Sequence, residues 1–327
     1  MSAPPAIGPR HLPEIRHRLA AWYASPAAVN TVAASAELGT DQAGRVAERW
    51  RQALDRAGMV YVAEDMCETA QEMAAKLSTL AVDADNDLPQ PHGILIWGRR
   101  PQVPVDPDDG MHYAPDGVVW TTRGRVIEVG LLMNPNTTDP PRLGQTLRAG
   151  VERHTPPHLM PDVIPLWECR IPADGRERPW SALINGDGAR EAESDTVAAM
   201  RMLLATWLTI RQPVSRRSLH DVERVSAPRA SARRIERAGG DSARTVDCVT
   251  LRRFEPPSGA ATGTRPSPGT GAGRNYSVRW WVSPHRVTVH RREDGPERIW
   301  RGPYLAIPEG CETAPIRGEE RVYVLRR

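Results

Sequence analysis

The sequence predicts an α+β fold with three parts. These are a helical, winged-helix-like N-terminal part, a central and mostly antiparallel sheet carrying one long packed helix, and a basic C-terminal β module. Three observations point there. Three amphipathic segments with helix punctuation fill the first 57 residues. Strand-like runs flank an Arg123-Gly124 turn in the middle of the chain. Alternating strand patterns then return in residues 275–327 after a Pro/Gly-rich stretch. The boundaries expected are 1–82, 83–254, a linker at 255–274, and 275–327. With 327 residues, 40% of them apolar, the chain can bury domain-sized cores, and full disorder is excluded.

Residues 12–23 place Ile15, Leu19 and Trp22 at helical spacing and stop at Ser25-Pro26. Pro26 opens a second helix, with Val29, Val32, Ala33 and Ala36 on one face. Thr40-Asp41 caps a third, which runs to about residue 57 with Val46, Trp50, Ala53 and Leu54 inward and Gly58 as its stop. Residues 59–62 read as a strand. Three short helices followed by a strand outline a winged helix-turn-helix, with Gly44, Arg45, Glu48 and Arg49 on the face that would meet a major groove. A three-helix bundle docked on its neighbours fits the same pattern, and Asp41, Glu48 and Asp55 dilute the positive charge.

A fourth helix, 65–80, carries Met66, Ala70, Met73 and Leu77 toward a core. Residues 93–97 read as a buried strand, 99–116 as a Pro/Asp-rich loop, and 117–122 with 125–133 as a hairpin. Five prolines make 134–158 read as a long irregular connection. Strands are expected at 163–171 and 179–184. The helix 191–211 has a wide stripe of Val197, Met200, Leu203, Leu204, Trp207 and Leu208, closed by Gln212-Pro213. The Arg-rich segment 215–237 reads as a second, exposed helix and 246–251 as a short strand. In the tail, 276–282, 286–291, 298–305 and 321–325 read as strands of a small antiparallel module packed back on the main body.

Several function classes fall away. No window approaches the roughly 18 apolar residues of a membrane span. Residues 1–25 mix Pro, Glu and Arg where a secretory signal would carry an apolar core, so a cytoplasmic location is expected. Cys67, Cys169, Cys248 and Cys311 lie far apart and read as reduced thiols. There is no GxSxG, HExxH, Walker loop or GxGxxG. Gly269, Gly271 and Gly273 lie in the linker without a strand before them or a helix after. His154 and His158 share helical spacing, but Pro156 and Pro157 between them prevent one helical face from presenting both. His112 with Asp106, Asp108 and Asp109 reads as a solvated acidic loop. No metal site, cofactor or membrane partner is therefore expected.

Charge is distributed unevenly. Lys76 is the only lysine, and the general abundance of Arg, Ala, Gly and Pro looks like a GC-rich genome. Residues 1–213 nevertheless hold 21 Arg/Lys against 27 Asp/Glu, a net of −6, whereas 214–327 hold 22 Arg against 13 Asp/Glu, a net of +9. Such a segment attracts a polyanion over roughly 8–10 Å at physiological salt. The tail also collects aromatics: Trp280, Trp281, Trp300 and Tyr304 stand among its arginines and among His285 and His290. Arginine gives bidentate phosphate contacts and aromatic rings give stacking faces, which is the combination used in single-strand grooves. The candidate nucleic-acid-binding residues are Arg279, Trp281, His285, Arg286, Arg291, Arg292, Arg298, Trp300 and Arg301, with Arg45 and Arg49 of the third helix. The ordinary alternative keeps the aromatics in a core and the arginines in water.

The stretches AGMVYV (57–62), LPQPHGILIW (88–97), VVWTT (118–122), MRMLLATWLTIRQP (200–213), VDCVTLRR (246–253), RWWVSPHR (279–286), RIWRGPYLAIPEG (298–310) and RVYVLRR (321–327) carry a resemblance over most of the chain. They resemble a widespread family of uncharacterised actinobacterial proteins of chromosomes and phage- or plasmid-like elements. In that family the tail reads Arg-Trp-x-Val and then Gly-His-Trp-Arg. Here His285 fits the histidine, while Arg286 and Val287 replace the tryptophan and arginine. The resemblance implies the architecture and a mobile-element context. The function expected is that of a non-enzymatic accessory or regulatory protein associated with DNA or RNA through the basic tail. Two alternatives remain: a metal-independent nucleic-acid-processing enzyme or toxin using His285 and nearby arginines, and a factor whose partner is another protein.

Overall fold

The first three helices form where their apolar spacing places them: α1 (Leu12–Tyr23), α2 (Pro26–Ser35) and α3 (Thr40–Arg56). Ser25 starts α2, its Oγ accepting from the Ala28 N–H at 3.4 Å. Pro26 follows at the first helical position, where its missing N–H costs nothing. Trp50 and Leu54 of α3 are fully buried. Arg16 of α1 donates to the Leu54 carbonyl at 3.0 Å, tying α1 to the last turn of α3 at an oxygen that also accepts from the Ala57 N–H.

The computed structural model describes residues 7–103, 114–138, 141–183, 193–211, 220–241, 244–251, 280–282, 285–291, 295–301 and 304–306. After α3 come β1 (Gly58–Val62), α4 (Glu64–Ala74), β2 (His92–Trp97), β3 (Gly117–Arg123) and β4 (Val126–Met133). Next are α5 (Pro141–Glu152), β5 (Ile164–Pro172), α6 (Glu193–Ile210), β6 (His220–Val225), α7 (Arg229–Arg237) and β7 (Val246–Leu251). The seven strands form one mixed sheet in the order β5-β4-β3-β2-β1-β7-β6. β1 is parallel to both β2 and β7, and the other four pairings are antiparallel.

Helices cover both faces of this sheet. Along β2 the side chains alternate: Ile94 and Ile96 join the core under α1 and α3, and Leu95 and Trp97 join the core under α4 and α6. A central strand covered on both faces reads as a continuous apolar run for this reason. The expected α+β class, mostly antiparallel sheet and long packed helix are all present.

The structure corrects several expectations. β1, expected to open a wing, is instead a central strand, and the sheet runs across the boundary expected at residue 82. The fourth helix ends at Ala74 rather than residue 80; Leu80 turns into a bridge with Arg178, its N–H donating to the Arg178 carbonyl at 2.9 Å. The supposedly irregular 134–158 contains α5. Where a strand was expected over 179–184, the described residues form a short 3-10 turn at Trp180–Leu183, whose buried Trp180 donates to the Leu77 carbonyl at 2.8 Å. Of the Arg-rich 215–237 segment, expected as one helix, the described residues divide into edge strand β6 and the shorter α7.

In the tail, β8 (Trp280–Val282) pairs with β11 (Tyr304–Ala306), and β9 (His285–Arg291) pairs with β10 (Gly295–Arg301), both antiparallel. The single strand expected over 298–305 is thus divided between two ladders. The expected linker at 255–274 and the strand at 321–325 lie outside the described residues.

Candidate nucleic-acid interface

Two regions collect the sequence-predicted residues. The first is the tail. Antiparallel pairing of β9 with β10 sets Arg286 opposite Trp300, His285 opposite Arg301, Arg298 opposite Thr288 and Arg291 opposite Gly295. Trp281 of β8 stands opposite Leu305. Seven of the eleven candidates therefore fall on two short ladders, brought to them by strand pairing alone. Arg279 and Arg292 lie outside the described residues.

The second region is the first half of α3. Arg45 is exposed there. Arg49, expected on the same outward face, turns toward the sheet: its Nε lies 2.8 Å from Glu128 and its Nη2 donates to Glu168 at 2.9 Å. Helical geometry explains the turn, because Arg49 adjoins Trp50, whose indole is fully buried and donates through Nε1 to the other Glu168 oxygen. Glu128 on β4 is opposite Arg170 on β5, and their charged groups approach to 3.7 Å. Burial raises the Glu168 carboxyl above its ordinary value, opposed by the Trp50 hydrogen bond and the Arg49 charge.

These groups border a cleft of about 610 Å³ between α3 and the hairpin end of the sheet, lined by Leu38, Gln42, Arg45, Val46, Arg49, Arg123, Glu168 and Arg170. Four arginines thus surround one rim carboxylate, with Glu128 buried beneath. Sequence reasoning missed Arg123, which reads only as a turn residue, and Arg170, which reads only as a strand residue. Their convergence depends on long-range pairing of β3, β4 and β5, which leaves no local signal.

A third cationic feature accompanies these. On α7, Arg229, Arg233 and Arg237 are exposed at i, i+4 and i+8, one stripe of the helix. The opposite side docks on α1: Ile235 is fully buried, and Ser231 and Arg234 both donate to Glu14 at 2.7 Å.

Cys67, Cys169 and Cys248 are buried and free of disulfides. Burial pushes the Cys67 thiol up to about 11 and the Cys169 thiol up to about 12, so neither is a thiolate nucleophile at neutral pH. Among the described residues no group of three or more His, Cys, Asp or Glu is placed to hold a metal ion, and no helix is long and apolar enough to cross a membrane. No protein-family model matches the chain, and no curated protein or solved structure is significantly similar to it.

Proposed function

We propose that the protein is a non-enzymatic accessory or regulatory factor that binds DNA or RNA through its basic C-terminal part, in the cytoplasm. The observation that carries this reading is the β9–β10 ribbon, which holds Arg286, Arg291, Arg298 and Arg301 together with Trp300 on two paired strands. A two-stranded ribbon is narrow enough for a major groove, and arginine beside tryptophan is also the chemistry of single-strand grooves. The α7 stripe of Arg229, Arg233 and Arg237 supports the reading, because it adds cations within the same net +9 segment.

Binding of this kind releases condensed counterions, so it has a definite salt signature. Full-length protein is titrated against labelled duplex and labelled single strand at about 50 and about 200 mM salt. Log affinity should fall linearly with log salt, with a slope of several units, and the preferred probe identifies the target class. A flat salt response, or no binding to either probe, rejects the reading. The catalytic alternative is addressed by the same preparation: wild type should leave both probes intact on prolonged incubation. Cleavage that disappears in His285→Ala would replace the binding role with an enzymatic one.

A further inference from the structure

We infer that the cleft between α3 and the hairpin end of the sheet is a phosphate-binding site on the main body, separate from the tail. Three features make it one. The first is convergence: Arg45 and Arg49 arrive from one helix, Arg123 from the β3 end and Arg170 from β5, so cations approach one space from three elements. The second is excess charge. Arg49 is matched by Glu128 and Glu168, but among the described residues neither Arg45 nor Arg123 has a carboxylate within ion-pair distance, and Arg170 has only the 3.7 Å approach to Glu128. The third is preorganisation. Glu128 from beneath and Glu168 at the rim hold the Arg49 guanidinium, and Trp50 holds Glu168, so part of the ordering cost of a bound anion has been met by folding.

The ligand class follows from what lines the cleft. Planar guanidinium forks suit the several oxygens of a phosphate, and among the described residues that line the space none is aromatic. Recognition is therefore of the phosphate itself and is independent of sequence. A phosphodiester backbone and a small free phosphate would present the same chemistry. A backbone engaged by the tail would find here a second contact on the same molecule.

The test uses full-length protein, inorganic pyrophosphate followed by calorimetry, and a labelled single strand followed by anisotropy. Arg123 and Arg170 are exposed, so Arg123→Gln/Arg170→Gln should melt as wild type does. It should bind pyrophosphate at least about tenfold more weakly, the value of one charge-assisted contact. Its salt slope on the single strand should fall by about 1.4, roughly 0.7 for each of two lost phosphate contacts. Glu168→Gln keeps an acceptor for Trp50 while removing the rim's negative charge, so it should bind pyrophosphate about two- to fivefold more tightly. Lost pyrophosphate binding in the double variant, with no oligonucleotide binding by wild type, assigns the cleft to a small phosphate and rejects the tail reading instead. Unchanged oligonucleotide affinity and slope together with unchanged or absent pyrophosphate binding overturns the cleft and leaves the tail reading standing.

Discussion

Arg49 shows how one side chain divides between structure and function. Its guanidinium neutralises Glu128, whose side chain is only 5% exposed on the sheet surface. Removing a partner from a buried pair costs more than removing the pair, because the remaining charge has been stripped of water. Arg49→Ala should therefore destabilise the protein by about 3 kcal/mol, and adding Glu128→Leu should recover most of that loss in urea melts. No recovery would mean that Arg49 stabilises through packing rather than charge. Gly144 is a second residue fixed by its surroundings. A Cβ there would lie 2.1 Å from the Pro135 carbonyl oxygen, backbone that cannot swing away. Gly144→Ala should cost about 1–3 kcal/mol, although alanine is the better helix former. A neutral or stabilising outcome would show that the 134–138 turn yields. Neither effect can be read in the sequence, since Glu128 and Arg49 are far apart in the chain and Gly144 looks like an ordinary helix breaker.

Elements were legible where periodicity and punctuation agreed, as for α1 to α3, β2 to β4 and α6. They were not where the two conflicted. Pro135, Pro140, Pro141, Pro156 and Pro157 suggest an irregular stretch, yet they bracket α5: Pro141 is its first residue, and Leu143, Leu147 and Val151 form its inner seam at i, i+4 and i+8. Residues 179–184 are a short apolar run, which periodicity alone cannot assign. Around residues 220–237, arginines hide the change from an edge strand to a helix at Pro228. α7 depends on a few groups for its position, chiefly Ile235 and the hydrogen bonds to Glu14. The Arg234 hydrogen bond holds the Glu14 carboxyl below its ordinary range. A depressed carboxyl contributes stability above its unfolded value, and this is lost as pH falls through the lowered folded value. Glu14→Gln should thus lower Tm by about 1–3 °C at neutral pH, the difference closing on acidification below the ordinary carboxylate range. In trypsin digests at neutral pH the same variant should be cut sooner after Arg233 and Arg237. A Tm difference that persists unchanged into acid would assign the effect to lost packing instead of charge.

At the scale of the whole molecule, charge and fold change at different places. The net charge turns positive after residue 213, but the sheet continues to Leu251, because β7 is the parallel neighbour of β1 and β6 closes that edge. Cutting at residue 213 would strip β1 of a partner and expose a central apolar strand, an aggregation-prone edge. Cutting after residue 251 keeps all seven strands and leaves behind 252–327, which hold 14 Arg against 8 Asp/Glu, a net of +6. The fragment 1–251 should therefore remain monodisperse and melt cooperatively within a few degrees of the full chain, whereas 1–213 should aggregate or fail to fold. The same cut separates the tail from the cationic regions of the main body. With the tail gone, 1–251 should lose most of its oligonucleotide affinity and most of the salt slope, retaining the weak binding of the α3 cleft and the α7 stripe, and Arg123→Gln/Arg170→Gln then removes the cleft's share. A folded 1–251 that binds as tightly as the full chain would place nucleic-acid recognition on the seven-stranded body and reduce the β8–β11 ladders to a bystander.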